Sequence, residues 1–188
     1  MGSVPVMSDM MRLRPFQEGD LGVLERLAYD PQMLGPLAWT GWSEARAGLR
    51  KRWEQNRLLT DDEGVLAVVR GDAAVGAVTW RAVRYNAVSR CWNTGICLLP
   101  EERGTGGAVA AGLELRDYLF AHTQANRIEA HVDVDNTATR VVCEKIGMTL
   151  EGVARGAHWR AGRWRDAAVY AYLRGDLPPQ AADAGQPA

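Results

Sequence analysis

Leu98-Leu99-Pro100-Glu101-Glu102-Arg103-Gly104-Thr105-Gly106-Gly107-Ala108 is the stretch on which the reading of this 188-residue chain turns. Gly104, Gly106 and Gly107 let the backbone curl and come close to a ligand, because no Cβ intervenes. An apolar-periodic run follows from Gly107 to Ala121, so a helix opens where the loop ends. The first amides of that helix lack intrahelical partners, and the positive end of its dipole lies there. Together they form a site for an anion such as a pyrophosphate. Arg103 can add a charge-assisted contact. The loop lacks the lysine of a Walker A sequence and is not the dinucleotide fingerprint GxGxxG.

Outward from the loop, the chain alternates strands and helices. Upstream, Val65–Arg70, Ala73–Tyr85 and Arg90–Leu99 read as three strands joined by short turns, an antiparallel meander. Before them stand a strand at Arg12–Phe16, a helix capped by Asp20 (Leu21, Leu24, Leu27, Ala28), a loop over Leu34–Trp42, and a helix capped by Ser43 (Ala45, Leu49, Trp53). Downstream, residues 127–134 alternate. Ile128, Ala130, Val132 and Val134 point one way; Glu129, His131 and Asp133 point to a face expected to be solvated. Asn136 caps a further helix with the stripe Ala138, Val141, Val142, Ile146, ended by Gly147. Met148–Trp159 and Arg163–Leu173 form a closing hairpin. The order β-α-α-β-β-β-α-β-α-β-β is that of an α/β protein with a mixed sheet. Residues 1–10 and 178–188 read as flexible tails around one domain, 11–177.

Charge and cysteine content narrow the classes. The formal net charge of −1 gives no broad electrostatic footprint for nucleic acid. No apolar run reaches the ~18 residues of a membrane span. Three cysteines (Cys91, Cys97, Cys143), without a CxxC pair, indicate neither a disulfide framework nor a metal site. The expectation is a cytoplasmic, metal-free protein.

Arg103-x-x-Gly106-x-Ala108 resembles the Q/R-x-x-G-x-G/A signature of GNAT acetyltransferases. Asn136-Thr137-Ala138-Thr139, then Cys143-Glu144-Lys145-Ile146-Gly147-Met148 and Leu150-Glu151-Gly152, resembles the RimJ/RimL-type subgroup over about residues 11–177. The resemblance implies a GNAT fold: a mixed, mostly antiparallel sheet of about seven strands with about four helices, splayed at the acetyl-CoA site. It implies acetyl-CoA as co-substrate and transfer to a primary amine, a protein N-terminus or a small molecule. The alternative is a non-catalytic acyl-CoA sensor. A homodimer is compatible with it.

By resemblance the CoA-binding residues are Ile96, Cys97, Leu98, Arg103, Gly104, Thr105, Gly106, Gly107, Ala108, Asn136 and Thr139. Acetyl transfer needs a neutral amine, a stabilised carbonyl oxygen, a partner for the leaving thiolate, and alignment. Many members supply a tyrosine just before the Glu-Lys pair; here that position is Cys143. Thr139 keeps the hydroxyl that the subgroup offers as a serine, and becomes the candidate partner of the CoA sulfur. His158 stands where relatives place an acid and is the candidate base, since imidazole titrates near neutrality. Trp39, Trp42, Trp80, Trp92, Glu151 and Trp159 are the candidate acceptor contacts, the aromatic members suiting an apolar or cationic group.

Overall fold

The protein is described by a computed structural model that covers residues 11–35, 37 and 48–176. Seven strands form one sheet in the order β1-β2-β3-β4-β5-β7-β6. They are β1 (Met11–Arg14), β2 (Glu63–Arg70), β3 (Ala73–Arg84), β4 (Arg90–Leu98), β5 (Arg127–Asp133), β6 (Thr149–Arg160) and β7 (Arg163–Leu173). The helices are α1 (Leu21–Tyr29), α2 (Pro31–Leu34), α3 (Leu49–Asn56), α4 (Gly107–His122) and α5 (Thr137–Lys145). Every pairing is antiparallel except β4 with β5. That parallel pair follows from the crossover through α4, which returns the chain in its original direction.

Two apolar clusters hold the layers together. On one face Leu115, Leu119 and Phe120 of α4 and Cys143 of α5 pack on Val68, Trp80, Trp92, Ile128, Val132 and Tyr170. On the other, Leu21, Leu24 and Leu27 of α1 and Leu49 and Trp53 of α3 pack on Ala67, Val69 and Ala77. Trp53 Nε1 donates to Phe16 O at 2.7 Å, which satisfies its polar end inside the core.

Local chemistry explains the differences from sequence expectation. Asp20 precedes α1, but its carboxylate pairs with Arg14 and accepts from Gln17 N, so it makes no side-chain cap. Pro31 ends α1 as expected, yet it also starts α2, where Asp30 Oδ1 accepts from Gln32 N at 2.9 Å. Proline suits a first helical position because its missing N–H has no partner to lose there. The helix expected from Ser43 is described only from Leu49, after Gly48; Ser43 lies outside the described residues. Val141 is 39% exposed, whereas Ile146, at the end of α5, is buried as expected and Cys143 is buried with it.

Candidate active site

β4 and β5 pair only at Trp92↔Ile128 and Asn93↔Glu129. One further link, Thr94 Oγ1 to Glu129 O at 3.0 Å, closes the pairing. Beyond it the strands part, and Gly95 to Leu98 have ladder partners only on the β3 side. Backbone amides and carbonyls in such a cleft demand a partner. A groove of about 470 Å³ opens there, lined by Ile96, Cys97, Leu98, Arg103, Gly104, Gly106, Ala108, Asn136 and Thr139 among others.

The glycine loop takes its shape from two left-handed residues, Gly104 (φ 76°) and Gly106 (φ 86°). A side chain at either would meet open space but a strained backbone. Gly106 is the N-cap of α4, so the free amides of the helix start face the groove. Arg103 lines the groove while its Nε donates to Leu98 O at 2.9 Å and a terminal nitrogen to Met33 O. It thereby ties the loop to β4 and α2. Gly107 and Thr105 face elsewhere. A Cβ on Gly107 would meet Met11 Cε at 2.5 Å, and Thr105 Oγ1 donates to Glu102 O.

Deeper in, a slot of about 210 Å³ shares Ile96, Ala108, Asn136 and Thr139 with the groove, and adds Gly95, His131, Asp133, Cys143 and Arg160. Asn136 Oδ1 accepts from Thr139 N at 3.1 Å, capping α5 and presenting Thr139 in its first turn. Cys143, one turn on, is 4% exposed, and burial pushes its thiol up to about 11. That is a weaker acid than an unperturbed thiol near about 8.5. Burial thus makes Cys143 a poor proton donor, with its thiol held in the protonated form.

The face expected to be solvated is corrected at two of its three residues, while His131 is exposed as expected. Glu129 and Asp133 are each 3% exposed. Burial is tolerated because each carboxylate is matched. Asp133 accepts from Arg165 Nη2 at 2.8 Å and from Asp135 N at 3.0 Å. Glu129 accepts from Arg127 Nε at 2.6 Å and from the Tyr85 hydroxyl, and meets His131 Nε2 at 3.2 Å. Burial pushes Glu129 up, but Tyr85 and Arg127 outweigh it and its carboxyl lies below the usual range. Arg165 holds Asp133 low in the same way. By strand register, Arg81, Asn93, His131, Asp133, Arg165 and His158 share this face.

His158 faces the same side from β6. Burial lowers its pKa, and the charges of Arg160, His131 and Arg81 lower it further, against Asp133. It is neutral at pH 7, and its Nδ1 is buried without a hydrogen-bond partner. His131 reaches the slot itself. The sequence singled out His158 and passed over His131; the strict alternation of β5 was the available signal. The other candidates separate. Trp80 is buried across Gly64, where a Cβ would fall 2.0 Å from its ring. It lines a chamber of about 270 Å³ with Arg52, Asn56, Glu63, Arg81 and Asn93, and the chamber shares Thr94 and Gly95 with the slot. Trp92 is 2% exposed, with Nε1 bound to Thr123 Oγ1. Trp159 is exposed, edge-on to Trp164 at the β6–β7 tip, and Glu151 is engaged by Arg127 outside the three hollows. Trp39 and Trp42 lie outside the described residues.

Residues 11–149 match the family model for the acetyltransferase (GNAT) domain. No curated protein sequence matches significantly. Among solved structures, RimJ from Mycobacterium smegmatis in complex with CoA-disulfide is 26% identical, with a TM-score of 0.74 over 91% of this chain and 85% of that one. Spermidine N-acetyltransferase from Vibrio cholerae, in complex with CoA and spermine, is 22% identical, with a TM-score of 0.75 over 89% and 97%. RimL, a ribosomal L7/L12 α-N-protein acetyltransferase in complex with CoA, is 19% identical, with a TM-score of 0.69 over 87% and 94%. The chain belongs to the GNAT acetyltransferase domain family. It is an acyltransferase, with acetyl-CoA as its co-substrate. Among the described residues no group of His, Cys, Asp and Glu could hold a metal ion.

Proposed function

We propose that this protein acetylates a primary amine by direct transfer from acetyl-CoA, as a RimJ/RimL-like N-acetyltransferase of the cytoplasm. The observation that carries the reading is that groove and slot share Ile96, Ala108, Asn136 and Thr139, and slot and chamber share Thr94 and Gly95, where β4 parts from β5. The groove supplies a helix N-terminus for the pyrophosphate and open strand backbone for the pantetheine arm. The chamber admits the amine from the other side. Both reactants meet at Gly95 and Thr139, which favours in-line attack.

The amine nitrogen bonds to the thioester carbon as the C–S bond breaks, and the nitrogen proton passes to a base. Thr139 donates a hydrogen bond to the departing sulfur. Asn136 keeps Thr139 in place through the cap. His158, neutral at pH 7, takes the amine proton directly or through a water. His131 is the second candidate, favoured by its place in the slot and by Glu129, whose carboxylate lies 3.2 Å from Nε2 and orients the ring.

A thiol-release assay with acetyl-CoA and a panel of amines tests the reading. Turnover on at least one amine is expected. Tight acetyl-CoA binding without turnover on any of them would mark a sensor instead.

A further inference from the structure

We infer that the acceptor is a small amine carrying a carboxylate close to the amino group, held by Arg81 and Asn93. The inference rests on the N-acetyltransferase reading and names the acceptor class of that site. Arg81 and Asn93 are register partners on β3 and β4, and both line the chamber. The Arg81 side chain is exposed on the chamber wall and makes no ion pair with a carboxylate among the described residues. Asn93 Nδ2 is buried with no acceptor. A buried amide donor without a partner is costly, so a site that leaves one open is built to receive an acceptor group. A guanidinium beside an amide donor suits a carboxylate, because charge-assisted donors hold it in a fixed orientation.

The carboxylates of the site point the same way. Glu63 is paired with Arg52 at 3.3 Å. Asp133 is enclosed by Arg165, and Glu129 by Arg127 and Tyr85. Among the described residues of chamber and slot, each carboxylate already has an arginine partner. The burial and neighbouring positive charges that lower His158 agree with this field. Position completes the case. Asn93 adjoins Thr94 and Gly95, where chamber and slot meet, so a carboxylate held there aims the amine at the slot. The chamber, about 270 Å³, suits an acceptor of amino-acid size.

The test compares kcat/KM for free amino acids, their carboxamides, the corresponding decarboxylated amines, neutral peptides and spermine. The preferred free amino acid is expected to exceed its own carboxamide and decarboxylated amine by roughly tenfold or more. Arg81→Gln should remove that ratio, chiefly by raising KM, with acetyl-CoA affinity unchanged; Asn93→Ala should act in the same direction. Equal rates on acid and carboxamide, or a preference for spermine or neutral peptides, would overturn the inference and leave N-acetylation standing. Acetyl-CoA binding with no turnover on any amine would overturn both.

Discussion

Thr139 offers a hydroxyl and His158 an imidazole, and the two side chains make separable predictions. Thr139→Val keeps shape and loses the hydrogen bond to sulfur, so kcat should fall by roughly tenfold or more while acetyl-CoA affinity changes little. A parallel loss in both would make Thr139 a binding residue only. The His158 pKa lies below its ordinary 6.5, so the base is available throughout the neutral range and is lost only as pH falls through the lowered value. In the wild type kcat/KM should therefore show an acid limb below pH 6.5. His158→Ala should remove that limb, whereas its survival there and loss in His131→Ala would assign the base to His131. Residue type and the family resemblance made Thr139 and His158 candidates in the sequence. His131 was not singled out: the alternation of β5 sets it beside Glu129, but nothing local reveals that Glu129, two residues earlier, is buried. The burial comes from Arg127 and from Tyr85, which is 44 residues away in sequence.

Single side chains act here only because two elements hold them in place. The loop–α4 junction needs left-handed backbone at Gly106 (φ 86°), and space there is open. Gly106→Val should fold, at a cost of about 1–2 kcal/mol for the positive φ, and should weaken CoA binding by blocking the approach to the helix amides. Unchanged CoA affinity, measured by calorimetry, would remove the loop from the site. The α5 cap is the second device. Asn136→Ala should cost about 1 kcal/mol through the lost bond to Thr139 N, and should depress kcat beyond what the stability loss explains. Both junctions were readable from glycine spacing and from an asparagine ahead of an apolar stripe. The groove-facing exposure of Val141 was not, since an apolar residue on a helix looks buried until the cleft beside it is known.

Across the whole molecule, one sheet divides the work between its faces. The α4 and α5 side is apolar and carries most of the core, whereas the face beneath β5 to β7 is charged and matched pair by pair. Asp133→Ala would leave the Arg165 charge only the exposed Asp135 as partner and should cost about 3 kcal/mol, a drop of order 10 °C in Tm. Asp135→Ala, at an exposed carboxylate, should cost under about 1 kcal/mol. Because Asp133 and Glu129 have lowered pKa values in the folded chain, their stabilisation is present above the unfolded carboxylate range. It is lost only as pH falls through those lowered values. A denaturation midpoint that moved with these residues between pH 6 and 8 would contradict this. The sequence by itself determined the strand and helix order, the glycine turn and the helix start behind it. Those features depend on periodicity, capping and φ preference, which act within a few residues. Only the tertiary structure decided that β4 and β5 separate after Asn93 and Glu129, that Glu129 and Asp133 are buried, and that Arg81, Asn93 and His158 share their face. Those outcomes depend on register between strands far apart in the chain, and on which distant cation reaches each carboxylate.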